Sequence, residues 1–441
     1  MGSGASLRPM AGLLAAMAVS LTATRVSAIA LPWFVLTTTG SPARTGMVAF
    51  AEMAPYVLVK ALAGPLADRV GPRRISWIGD VVSAAAAGTV VLLHALDLLP
   101  LGALIALVAV VGAARGPGDL AKEIMIPEAA ERGRVPLERA TGLMGVTERL
   151  AQTVGPAAGG AVVALLGPLP GLGISVICFA LGSVIVTWAL PRGMGHRAPA
   201  EETQQGYWRR FGEGFTFLRG EPLLLSVVVM VGITNLLDAA FGQVLVFVWA
   251  RESGHGAAVV GLNSSVMGLT AVGGSLVAAA VAHRMRRRPV FFVAFLLAGP
   301  TRFLVLAVDA PVWAMVAVFA VGGFAGGFLN PILGAISYER VPRSLLGRVN
   351  ALKDSLAWAG IPLGGLAGGA LVAVAGLTPV LLAGGAVYAL TTSLTGLRPE
   401  WRQMDRLRGQ GPPAPTASPM PPTPPAPPAP PAPPVRRLRR S

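Results

Sequence analysis

Gly64-Pro65-Leu66-Ala67-Asp68-Arg69-Val70-Gly71-Pro72-Arg73-Arg74 sits between an apolar run from Gly46 to Ala63 and another from Ile75 to Leu96. One aspartate and three arginines thus fall between two runs of membrane-spanning length. A charge in hydrocarbon costs roughly 3 kcal/mol or more, so a charged turn in this setting lies at a membrane surface. The arginine excess assigns it to the cytoplasmic side.

The same pattern extends over the whole chain. Of 441 residues, 53% are hydrophobic and 13% charged, where a soluble domain carries about 25% charged residues. With a mean hydropathy of +0.64, this composition is that of a polytopic, all-α membrane protein whose main partner is the lipid bilayer. The net charge of +15 would also suit nucleic acid. The basic residues, however, are spread over short loops between apolar runs, where orientation in the membrane accounts for them, and no nucleic-acid partner is expected. Cys178 is the only cysteine, which excludes an intrachain disulfide and a multi-cysteine metal site. The chain has no phosphate loop, no cluster of histidine and acidic ligands and no Gly-x-Ser-x-Gly turn. An enzyme, a bound cofactor and an ATP-driven pump contained in this chain alone are therefore not expected. The first apolar segment, from about Met10, runs on without a small-residue cleavage site, so no cleavable signal is read.

Twelve apolar runs reach the roughly 20 residues a bilayer requires: 10–38, 45–67, 75–96, 101–126, 138–167, 169–190, 222–250, 257–282, 290–308, 311–337, 345–374 and 377–397. Their loops alternate in charge. One set holds Arg69, Arg73 and Arg74, then Lys122, Arg132, Arg134 and Arg139, then the arginines of 192–219, 284–288 and 340–348, whereas the other holds only Arg44 and Arg251. That asymmetry predicts a cytoplasmic location for the first set and for both termini.

Four segments follow. Residues 1–190 and 222–397 are predicted to form two six-helix bundles. The connection 191–221 contains Trp208, Phe211, Phe215 and Leu218 at helical spacing opposite charged positions, and reads as a helix lying on the membrane surface. Residues 398–441 read as a disordered, Pro-rich, basic tail. The bundles look like a repeat: Arg134-Val135-Pro136 is echoed by Arg340-Val341-Pro342, and at the same offset Glu148 meets Asp354, Pro156 meets Pro362 and Gly159 meets Gly365.

The spacing Gly64, Asp68, Arg69, Gly71, Arg73, Arg74 resembles the signature between the second and third helices of the major facilitator superfamily. A second stretch, Gly155-Pro156-Ala157-Ala158-Gly159-Gly160, is similar to the fifth-helix motif of antiporters in that superfamily. The run Ala114-Arg115-Gly116-Pro117-Gly118-Asp119, with Val135-Pro136-Leu137-Glu138-Arg139-Ala140, resembles the drug- and macrolide-efflux or siderophore-export branch. The resemblance implies two parallel six-helix repeats that expose a central site alternately to each side of the membrane. It also implies a latch. In the closed state Asp68 is expected to meet the start of the eleventh span near Ser344, where a helix N-terminus stabilises a carboxylate, with Arg115 as a further partner.

Charges inside spans are functional candidates by default. In the second span Glu52, Tyr56, Lys60, Gly64 and Asp68 recur every four residues as one polar stripe. Arg25 stands alone in the first span, Asn235 and Asp238 share a face of the seventh, and Glu148 and Asp354 are repeat-matched. Arg25 and Asp238 are expected to meet across the cavity in one state and to separate in the other, so that Asp238 carries the proton, with Glu52 and the Glu148/Asp354 pair as competing carriers and a permanent Arg25–Asp238 bridge as the structural alternative. For Lys60 and Arg302, nearer the ends of their spans, a structural ion pair or snorkelling to the surface is the alternative to a functional role. The function expected is secondary active export of a small amphipathic or drug-like molecule in exchange for protons, by a functional monomer in the cell (inner) membrane. A proton-coupled nutrient importer and a non-transporting sensor or scaffold of the same fold are the alternatives.

Overall fold

The computed structural model describes residues 6–192, 194–195, 207–281, 284–342 and 345–406. Among these residues every regular element is helical. Eleven helical stretches are long and apolar enough to cross a membrane, and the 30-residue helix Leu137–Leu166 lies alongside them. The chain is a multi-pass membrane protein.

The first half is built from α1 (Arg8–Thr39), α2 (Pro42–Val70), α3 (Pro72–Ala95), α4 (Leu101–Gly133), α5 (Leu137–Leu166) and α6 (Pro168–Ala189). Its turns are short because proline and glycine set them. Gly71 alone separates α2 from α3, at φ +93°, a conformation that disfavours any side chain, and Pro72 then opens α3 at a position where its missing N–H is no loss. Helix α4 runs to Gly133, beyond the end at 126 expected for the fourth span, and carries Pro117 and Pro127 within it. Lys122, counted above among the loop charges, lies within this helix on a buried face.

The second half is more broken. It opens with α7 (Tyr207–Gly220), which packs on α8 (Pro222–Ala240) and on α15 (Leu346–Trp358). Leu218 of α7 is buried and Phe215 exposed, while the side chains of Trp208 and Phe211 lie outside the described residues. A π-helical turn, Phe241–Leu245, joins α8 to α9 (Val246–Glu252). The remaining helices are α10 (Gly256–Val281), α11 (Arg287–Ala298), α12 (Pro300–Ala307), α13 (Val312–Gly326), α14 (Leu329–Arg340), α16 (Ile361–Ala375) and α17 (Leu377–Leu397). The breaks fall at Gly299-Pro300, at Gly327 and at Gly360, where proline and glycine weaken the hydrogen-bond ladder.

The first residues of the segment read as a tail are helical. Residues 399–406 form two short helical turns, and the Trp401 ring is fully buried against Phe291 and Phe292, with its Nε1 donating to Ser226 Oγ at 2.9 Å. The large apolar ring outweighs the polarity of the surrounding residues. Residues 407–441 lie outside the described residues.

The halves meet along two helix pairs, α2 with α16 and α5 with α10. Both contacts are made by glycine. A Cβ on Gly46 would lie 2.5 Å from the Gly365 carbonyl oxygen, one on Gly369 2.5 Å from that of Pro42, and one on Gly160 2.9 Å from the Gly261 Cα. Gly46 and Gly365 to Gly369 belong to the end of the bundle away from the arginine-rich loops, as do Gly160 and Gly261. Small residues let membrane helices approach closely. Toward the arginine-rich end, α15 packs on α7 and α8 of its own half.

Candidate functional site

The polar stripe of α2 finds its partners on α4. Glycines at 112 and 116 press α4 onto α2: a Cβ at 116 would lie 2.6 Å from the Tyr56 carbonyl oxygen, and one at 112 would strike that of Glu52. The two helices run parallel, so side chains pair at a constant separation of 63 residues. Arg115 Nη1 donates to Glu52 Oε1 at 2.8 Å, Tyr56 Oη to Asp119 Oδ2 at 3.3 Å, and Lys60 Nζ to Glu123 Oε1 at 3.2 Å. Arg115 Nε also lies 3.9 Å from Asp119 Oδ2, and its guanidinium lies over the Tyr56 ring at 4.9 Å. One arginine is thereby shared by two carboxylates. Lys60 does not snorkel away: its ammonium group sits 5.6 Å from the ring of Trp358 in the other half.

This ladder borders a cavity of about 450 Å³ between the halves, within the roughly 300–1,000 Å³ range of small-molecule sites. Arg25, Glu52, Tyr56, Arg115 and Asp119 face it from the first half, Gln243 and Trp358 from the second. Leu31, Pro32, Met53 and Ile361 give it apolar walls. Among the described residues no group of His, Cys, Asp or Glu could hold a metal ion.

Asp238 does not pair with Arg25. It forms an ion pair and a hydrogen bond with Arg302 of α12, in its own half. The break at Gly299-Pro300 carries Arg302 inward, where its guanidinium stacks on Phe241 at 4.8 Å and Phe303 at 5.7 Å. Arg302 is buried and does not snorkel. Asn235, on the same face as Asp238, donates to the Ala357 carbonyl at 2.9 Å and ties α8 to α15. Glu148 is half-buried on α5 and Asp354 exposed on α15, and neither forms an ion pair among the described residues.

Arg115 is also not a partner of Asp68. It is level with Glu52, and about 24 Å of helix, at about 1.5 Å per residue, separates Glu52 from Asp68. The side chain of Asp68, and all of Ser344, lie outside the described residues. Arg69, Arg73 and Arg74 line a separate surface pocket of about 580 Å³ beside Trp77 and Arg192. Arg73 donates there to the carbonyls of Thr187 at 2.6 Å and Leu190 at 2.9 Å, holding the end of α6 to the start of α3.

The Gly155-Pro156-Ala157-Ala158-Gly159-Gly160 stretch packs on two sides. Gly155 and Gly159 receive Arg25 and Val26 of α1, while Gly160 and the Pro156 carbonyl meet Gly261 of α10. Small residues are needed on both faces, and the sequence motif records that geometry.

Sequence reasoning missed one buried pair entirely. Lys122 Nζ donates to Asp80 Oδ1 at 2.8 Å and to Ser20 Oγ at 3.0 Å, with each charged side chain only 3% exposed. Asp80 and Lys122 are far apart in sequence, and no local spacing links them. The signal available was a lone aspartate inside an otherwise apolar run, which requires a partner.

Comparison with known proteins agrees with this architecture. The crystal structure of the nucleoside transporter NupG superposes with a TM-score of 0.70 over 90% of this chain and 98% of that one, at 14% identity; at that identity the likeness concerns the fold alone. The multidrug efflux pump Tap of Mycobacterium tuberculosis (strain ATCC 25618 / H37Rv) is 31% identical over 390 residues, covering 86% of this chain and 91% of Tap. Tap of Mycolicibacterium fortuitum is 28% identical over 387 residues, covering 86% of this chain and 93% of that protein. The family model described as transmembrane secretion effector matches residues 8–415. With its helices, its paired glycine contacts and its central cavity in place, the chain belongs to the transmembrane secretion effector family of the major facilitator superfamily.

Proposed function

We propose that this protein exports small amphipathic, drug-like molecules across the cell membrane, as a monomer, by alternating access coupled to inward proton movement. The observation that carries the reading is the cavity between the halves: apolar walls around a set of paired charges, with close glycine contacts between the halves at the end away from the arginine-rich loops. Multidrug efflux by the Tap relatives supports the substrate class. The arginine-rich loops orient the molecule with the glycine contacts toward the outside, so the structure is read as the loading state. In proteoliposomes, an imposed pH gradient is expected to drive accumulation of members of a drug panel, to reverse when the gradient is reversed, and to fail with a protonophore. Flux no greater than in protein-free vesicles across the panel would overturn the reading.

The proton is assigned to the Glu52–Arg115–Asp119 cluster. A carboxylate's proton affinity depends on whether a neighbouring cation is present, and Arg115 has two carboxylates between which to choose. Asp238 and Arg302 sit within one half, so rocking of the halves leaves that pair intact. Glu52→Gln is expected to reduce gradient-driven accumulation to the uncoupled background while gradient-independent exchange continues. Undiminished driven flux in Glu52→Gln would remove the proton from this cluster.

The same orientation predicts labelling in a variant lacking Cys178. In intact cells an impermeant thiol reagent is expected to modify His255→Cys but not Gln205→Cys. The opposite pattern would invert the topology.

A further inference from the structure

Among the described residues, two polar side chains that line the central cavity have no hydrogen-bond or ion-pair partner, one from each half. Arg25 borders the cavity, yet its Nε is buried without a hydrogen bond and it forms no ion pair among the described residues. Neither Asp119 nor Glu148 forms an ion pair with it among the described residues. The two cavity carboxylates are already committed, Glu52 to Arg115 and Asp119 to Tyr56 and Arg115. Opposite, the Gln243 amide oxygen is buried and unpaired. Gln243 lies on the π-helical turn Phe241–Leu245, a distortion that often marks functional positions. Its amide rests against Gly365, which has no side chain to displace it, and either end of the amide can be turned to suit a ligand.

Arg25 is half-buried, with its Nε cut off from solvent and unbonded and its guanidinium lacking a counter-ion among the described residues, and a carboxylate entering the cavity would satisfy it with a charge-assisted, bidentate pair. Gln243 would add a hydrogen bond to the same group, while Leu31, Met53 and Trp358 would cover the apolar remainder. We infer that the cavity is a site for amphipathic organic anions, whose acidic group is held between Arg25 and Gln243. This assignment rests on the export reading above and narrows its substrate class. Because Arg25 belongs to the first half and Gln243 to the second, the acidic group bridges the halves, and its binding favours the state in which they close around it.

The test uses purified full-length protein with nalidixic, fusidic and mefenamic acids, their methyl esters, and the cation ethidium. At least one acid is expected to bind roughly tenfold or more tightly than its ester, as a charge-assisted hydrogen bond allows. In Arg25→Gln the acid should fall to the level of the ester, in Arg25→Lys it should fall part of the way, and in Gln243→Leu the loss should be smaller. Should Arg25→Gln fail to fold, the acid-to-ester ratios of wild type and Arg25→Lys decide. Preference for esters or for ethidium overturns the anion site and leaves export standing. An acid bound through Arg25 but not carried in proteoliposomes keeps the site and overturns export. Unchanged acid binding in Arg25→Gln, or no binding of any probe, overturns the site.

Discussion

Asp80→Leu is expected to remove most of the folded protein from the membrane, and Lys122→Met to do the same, while the double variant regains it. In the folded molecule the two charges neutralise each other at 2.8 Å, with Ser20 as a third member and almost no exposure to solvent. Taking away one partner strands the other in a dry interior, at a cost of about 3–5 kcal/mol. Native proteins are stable by only about 5–15 kcal/mol, so this is a large fraction of the total. Replacing both charges by apolar groups of similar volume removes the uncompensated ion, and such exchanges are often neutral or stabilising. The measurement is the monodisperse fraction in detergent and its thermal midpoint for the two single variants and the double. A single variant as stable as wild type would show that the pair does not hold α3 to α4. A double variant as poor as the singles would show that packing, not charge, decides the site: Gly182 of α6 leaves room there for Ser20 and Asp80.

The second large effect concerns Gly46. Its missing side chain lets α2 lie on α16, and a Cβ there would meet backbone on Gly365 and Gly369 that cannot rotate aside. Gly46→Leu is therefore expected to penalise the state with this contact closed by about 1–3 kcal/mol, shifting the balance between the two states by roughly 5- to 150-fold. The readout is the rate at which an impermeant reagent reaches Met53→Cys, a cavity position, from the outer side of intact cells. That rate should rise by about the same factor relative to the Gly46 parent, with transport reduced because the protein no longer reseals. An unchanged rate at normal expression would mean that the contact is not the outer seal.

Much of this architecture is legible in the sequence because membrane physics writes itself into composition. The ends of the spans follow from proline, glycine and arginine, and the polar stripe Glu52, Tyr56, Lys60 follows from helical periodicity. What faces that stripe is less legible. Asp119 and Glu123 lie on the same period in α4, but only the approach of Gly112 and Gly116 to α2 sets which residue meets which. Lys122 looks like a charge at the end of its span until Asp80 of α3 is seen to meet it. The Asp238 partner was missed for a similar reason: Arg302 lies near the end of an apolar run, and only the break at Gly299-Pro300 turns it inward. Trp401 stands in a polar segment, and its burial depends on a space between α8 and α11 that no local pattern describes.

The ladder between α2 and α4 also makes their alignment single-valued. Sliding α4 by one turn in one direction would set Glu52 against Asp119 and place two like charges together in the bilayer. Sliding it the other way would set Tyr56 against Arg115 and leave Glu52 beside Val111, a carboxylate facing an apolar wall. Either slip forfeits the Glu52–Arg115 bond and adds an unmatched charge, each penalty being larger in lipid than in water. Two apolar helices meeting through glycines have little else to tell one register from the next, since lipid tails and leucine side chains are equally apolar. The charges that make the cavity reactive therefore also proofread its assembly. A variant altered at Glu52 or Arg115 is expected to populate misaligned forms during insertion as well as losing proton coupling.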